Sequence, residues 1–122
     1  MATEEILDVL KEQSEVLESY VLVREVKLIL SLNADEENKY YPELKIKVWK
    51  SYALVDYPYY FTVSHNVWTP SQAGPYYPSN THATSEAGAI KQAISTTTSF
   101  LNSALREGLE MEDKWMVENP NF

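Results

Sequence analysis

Glu25-Val26-Lys27-Leu28-Ile29-Leu30-Ser31-Leu32 decides the fold. Val26, Leu28, Leu30 and Leu32 fall on one side; Glu25, Lys27, Ile29 and Ser31 fall on the other. A period of two predicts a strand with one face buried. The pattern recurs twice downstream. Leu44, Ile46 and Val48 alternate with Lys45, Lys47 and Trp49, and Phe61, Val63 and Val67 with Thr62, Ser64, Asn66 and Trp68. The expected strands cover about 22–32, 41–52 and 59–68, separated by a polar turn at Asn33 to Lys39 and a break at Asp56-Tyr57-Pro58. Connections this short predict an antiparallel meander.

Helical patterns flank the strands. Thr3 is an expected N-cap, with Glu4 and Glu5 in the first turn, where the helix dipole favours anions. Ile6, Leu7, Leu10, Leu17 and Val21 recur at helical spacing, widened by Val9 and Val16, and predict a helix over about 4–19. Ser85 is positioned to cap a second helix with Glu86 in its first turn. Ala87, Ile90, Ala93, Ile94, Thr97, Leu101, Ala104 and Leu105 form its inner stripe, and Gly108 ends it. Ser95 to Ser99 is poor helix material, but packing of the stripe outweighs propensity.

The expected fold class is therefore α+β: a two-layer, three-stranded antiparallel meander with both helices packed on one face, in the order helix-strand-strand-strand-helix. Residues 1–122 read as a single domain, with 109–122 a docked or partly flexible tail that carries Trp115, Met116 and Val117. A chain this long buries roughly 65% of its unfolded surface, enough for one core.

There is no cysteine, which removes disulfides, thiolate nucleophiles and cysteine zinc sites. The start, Met1-Ala2-Thr3-Glu4-Glu5, lacks the basic and apolar regions of a signal peptide, and no apolar run approaches the roughly 20 residues of a membrane span. A soluble cytoplasmic protein is expected. The net charge of −8 argues against a generic nucleic-acid binder. Acidic residues concentrate at the two ends, while Arg24, Lys27, Lys39, Lys45, Lys47 and Lys50 lie between them. That leaves a choice between plain solvated faces and a cationic sheet face between acidic helices.

No motif names a reaction. His65 falls in the inward register between Val63 and Val67, and a regular strand would turn adjacent Ser64 to the opposite face, so the two are not expected to pair. His65 reads as a hydrogen-bonded structural histidine. His82 precedes the second helix, and no metal-ligand spacing links the two histidines to Asp56 or Glu86. Gly74, Gly88 and Gly108 are too far apart for a phosphate loop. No cofactor and no metal are expected. Were the protein an enzyme, His65, His82 and Asp56 would be the residues to test first.

The candidate binding residues are aromatic. Tyr57, Tyr59, Tyr60, Trp68, Tyr76 and Tyr77 lie in or beside a Pro-rich stretch from Trp68 to Ser85, too long for a plain connection. Trp49 and Trp68 occupy outward strand positions with Lys45 and Lys47. Exposed aromatics beside cations mark interfaces. Equally, a stretch folded back over the sheet would make these rings a minor core. The expected contact set is Trp49, Trp68, Tyr60, Tyr76 and Tyr77, with Lys45 and Lys47 at its rim.

The element order resembles the double-stranded-RNA-binding architecture in topology alone. The basic residues which that family carries at the start of its second helix have no equivalent in Ser85-Glu86-Ala87-Gly88-Ala89-Ile90-Lys91, so RNA binding is not implied. The segment from the third strand through Thr84-Ser85-Glu86-Ala87 resembles the HicB-type antitoxins, a likeness that implies an acidic, partner-binding protein. The expected function is a non-enzymatic protein–protein interaction module, self-associating as a homodimer through the outer sheet face. The alternative is a small-molecule or nucleic-acid binding module on the same aromatic and lysine face, or an antitoxin-like partner-binding protein.

Overall fold

Leu44, Ile46 and Val48 are fully buried, while Lys45 is exposed and Lys47 and Trp49 half-buried, so the alternation of this segment is the two-sidedness of a real strand. The computed structural model describes residues 2–33, 39–53 and 55–122. Most of the expected turn from Asn33 to Lys39 lies outside the described residues.

The elements are α1 (Thr3–Lys11), β1 (Val21–Ile29), β2 (Leu32–Asn33), β3 (Lys39–Tyr40), β4 (Glu43–Lys50), β5 (Tyr59–Val63), β6 (His65–Val67), β7 (His82–Ala83), α2 (Glu86–Arg106), a 3-10 turn (Asp113–Trp115) and β8 (Met116–Glu118). The main sheet is antiparallel with four strands in the order β1-β4-β5-β7. The fourth strand comes from the Pro-rich stretch, which was expected to hold no strand. β2 pairs with β3 and β6 with β8 in two further ribbons.

α2 covers the inner face of the main sheet. Its Ala89 and Ala93 pack with Leu44, Ile46, Val48, Phe61 and Val63. Small residues on the helix let it approach the sheet closely. The far half of α2 builds a second cluster, in which Leu101 and Ala104 meet Leu32, Val67 and Trp115. Ser85 caps the helix by accepting from Gly88 N–H at 2.9 Å, as its side-chain chemistry predicts. At the other end Gly108 takes φ 84°, Gly108 N–H donates to the Leu105 carbonyl and Leu109 N–H to the Ala104 carbonyl. These paired bonds satisfy carbonyls that the last turn leaves free.

Four local expectations are corrected. The first helix ends at Lys11, not near residue 19; Gln13 and Val16 N–H groups turn back onto the Leu10 and Gln13 carbonyls, and Leu17 is 95% exposed. Thr3 is inside that helix; Ala2 occupies the cap position with no side-chain bond. The first strand stops at Ile29, and Leu32 belongs to a separate ribbon. The third strand is broken at Ser64 into β5 and β6, because Ser64 C=O accepts from Asn119 N–H at 2.8 Å and the chain changes partner there from β4 to the tail. The tail itself is docked: Trp115 is 1% exposed and β8 pairs with β6.

Candidate functional site

The outer face of the main sheet carries a single row of large side chains. Leu22 of β1 lies opposite Trp49 of β4, Trp49 opposite Tyr60 of β5, and Tyr60 opposite His82 of β7. The row thus crosses all four strands. Its rings touch: Trp49 and Tyr60 stack at 6.1 Å between centroids with planes 15° apart, and His82 is 6.1 Å from Tyr60. Tyr20 stands edge-on to Tyr60 at 5.5 Å. Trp49 Nε1–H reaches Thr62 Oγ1 at 3.4 Å. Leu22 and Tyr20 stay about two-fifths exposed, at 42% and 40%. Burial among these neighbours pushes the Tyr60 hydroxyl above its usual pKa, and the Glu18 carboxylate does the same for Tyr20.

A polar row lies beside the aromatic one, where Glu25 faces Lys47 and Lys47 faces Thr62; beyond it Lys27 faces Lys45. Lys27 bonds Glu43 at 2.9 Å, which holds that carboxyl below its ordinary range. Lys47 is already engaged: its Nζ sits 4.2 Å over the Phe122 ring and donates to the Phe122 carbonyl at 3.1 Å. Lys45 is exposed.

The expected contact residues do not all meet. Trp49, Tyr60, Lys45 and Lys47 share the outer face. Trp68 does not join them. It follows β6, which pairs with the tail, and with Pro70, Trp115 and Val117 it lines a separate apolar groove of about 500 Å³. The break at Ser64 is the cause, because strand parity cannot be carried across it. Tyr76 packs on Phe100 of α2 at 4.6 Å between ring centroids, away from the outer face, and Tyr77 is exposed. Leu22, His82 and the bracing Tyr20 were missed from the expected contact set, His82 having been weighed only as a metal or catalytic residue. Tyr20 precedes the strand. Leu22 has inward parity by simple alternation, and a bulge between Leu22 and Arg24 turns it outward.

Ser64 and His65 do come together, against expectation. Lys45 N–H donates to Ser64 Oγ at 2.8 Å, and Ser64 Oγ lies 2.8 Å from His65 Nδ1. Ser64 Oγ thus joins the Lys45 backbone to the His65 ring. Ser64 is buried and ties β4 to the strand break. Beside His65 the space bounded by Tyr76, Thr96 and Thr97 holds about 10 Å³, room for no more than one water. His82 and Asp56 instead share an open depression of about 310 Å³ with Val55, Tyr57 and Asn80, whose lining includes neither Ser64 nor His65. Among the described residues no three His, Asp or Glu side chains gather as a metal ion requires. Among the same residues, no helix is long and apolar enough to cross a membrane.

Comparison with family models, with curated proteins and with solved structures finds no significant match to this chain. Likeness of fold or segment alone carries no function.

Proposed function

We propose that the protein is a non-enzymatic protein–protein interaction module that docks a partner protein on its outer sheet face. The observation in support is the continuous row Leu22–Trp49–Tyr60–His82, braced by Tyr20. Aromatic side chains anchored by backbone register lose little conformational freedom on binding, and tryptophan and tyrosine dominate interface energetics. Val55 and Tyr57, 86% and 55% exposed, extend apolar surface beyond His82. Lys45 supplies a cation at one flank, which suits a partner that offers apolar side chains beside a carboxylate. The test is affinity capture from native cells on immobilised wild type and on a Trp49→Ala/Tyr60→Ala variant of unchanged circular dichroism. A partner retained by the first and lost by the second is expected; equal retention by both refutes this role.

One observation favours a second function, the binding of a small apolar molecule. The groove between Trp68 and Trp115 is of ligand size and mostly apolar. An environment-sensitive apolar dye should then bind the wild type with saturation, and Trp68→Ala should abolish that binding.

A further inference from the structure

β1 is an edge strand. It pairs with β4 on one side, and among the described residues no strand pairs with its other side. The parity of its free edge follows from one bond. Leu30 N–H donates to the Pro42 carbonyl at 2.9 Å, so Leu30, Leu28 and Val26 turn their backbone groups toward β4. Glu25, Lys27 and Ile29 therefore present N–H and C=O groups to solvent, and their side chains lie on the outer face. All three are exposed, Ile29 to 61%. An edge of this length with unmade hydrogen bonds is a template for another strand.

The charges on the edge select the partner. In an antiparallel self-pairing, residues of matching parity face each other, and each register has a different centre. Centred on Glu25, the edge sets Glu25 against Glu25 of the second copy. Centred on Lys27, it sets Lys27 against Lys27. Centred on Val26, it sets Glu25 against Lys27 and Lys27 against Glu25, twice by symmetry. Like charges directly opposite destabilise a sheet, and opposite charges stabilise it. Within one copy Lys27 faces Lys45 across the β1–β4 ladder and bonds Glu43 at 2.9 Å. A second Glu25 then approaches Lys27 from the other side. Of the three registers centred on Glu25, Val26 and Lys27, this one alone opposes unlike charges.

We infer that a second copy of this chain pairs antiparallel with β1 about a two-fold axis at Val26, joining two four-stranded sheets into one of eight. The two-fold runs through the sheet, so both aromatic rows lie on the same side and stay free for a partner. This contact uses the strand edge, where a dimer through the outer face was expected, and it stands independently of partner docking on that face.

Sedimentation equilibrium at low salt tests it. The wild type is expected as a dimer that weakens as salt rises, since the paired charges are near solvent. Glu25→Lys and Lys27→Glu each place like charges opposite one another and should weaken self-association by about tenfold or more. An equimolar mixture of the two variants restores opposite charges at both positions, and should dimerise as the wild type does. Trp49→Ala/Tyr60→Ala should leave the dimer intact. A monomeric wild type, two single variants as dimeric as the wild type, a mixture that stays monomeric, or a dimer lost on removing Trp49 and Tyr60 would each overturn the inference.

Discussion

Trp49 and Tyr60 face each other directly across β4 and β5, and their rings lie 15° from parallel at 6.1 Å. The backbone ladder holds this stack in place, so neither ring depends on a loop for its position. Leu22 and His82 continue the row into the two outer strands. A surface anchored in this way is organised before any partner arrives, which lowers the entropy lost on docking.

The stack should appear in a double-mutant cycle. Trp49→Ala and Tyr60→Ala each remove a half-buried ring, and the double variant should cost less than the two singles summed. The expected coupling is about 0.5–1 kcal/mol, read from urea unfolding. Strict additivity would show that the rings merely lie near each other.

Ser64 is a structural hydroxyl at the point where the strand breaks. Ser64→Ala leaves the Lys45 N–H without its acceptor and should cost about 1–3 kcal/mol. His65→Ala should cost less, because its ring is half-buried and Ser64 keeps its bond to the Lys45 N–H. Urea unfolding checks both; a Ser64→Ala loss no larger than that of His65→Ala would show that the Lys45–Ser64 bond is not what holds the break.

Trp115 anchors the tail in the second core cluster. Trp115→Ala should cost about 3–5 kcal/mol, the usual range for emptying a large buried site. Trp115→Phe should be markedly milder. The indole Nε1 is buried without a hydrogen-bond partner among the described residues, so its removal orphans nothing. Equal losses in both variants would mean that the nitrogen has a partner after all.

Tyr40 sets an alkaline limit. Its burial, reinforced by the Asp113 carboxylate, pushes its pKa up to about 12, against about 10 in the unfolded chain. The folded state thus holds this proton more tightly. The stability linked to it is complete below about pH 10 and is lost as pH climbs toward about 12. Urea midpoints should fall across that window in the wild type and fall less in Tyr40→Phe. Identical slopes would remove Tyr40 as the cause.

Much of the main sheet was legible because one face of it is sealed. Leu44, Ile46 and Val48 alternate cleanly since α2 covers their side of β4 and solvent meets the other. The ends of α2 were legible for local reasons, a serine hydroxyl that reaches Gly88 N–H and a glycine that takes a positive φ. The end of α1 was not. Leu17 continues the apolar spacing, but the chain leaves the helix after Lys11 and Leu17 stays in water. Periodicity records what a segment could bury; the presence of something to bury it against is a property of the whole molecule.

From residue order alone follow a one-sided antiparallel sheet, a capped long helix laid on it, and lysines and Trp49 on the open side, because alternation and capping act over a few neighbouring residues. Which aromatic rings meet was decided only in three dimensions. The bulge beside Leu22 brings that residue into the row with Trp49, Tyr60 and His82, and the bond from Asn119 to Ser64 sends Trp68 to another surface. Both events shift strand parity through partners distant in sequence, and parity counted along the chain holds only until such a partner intervenes.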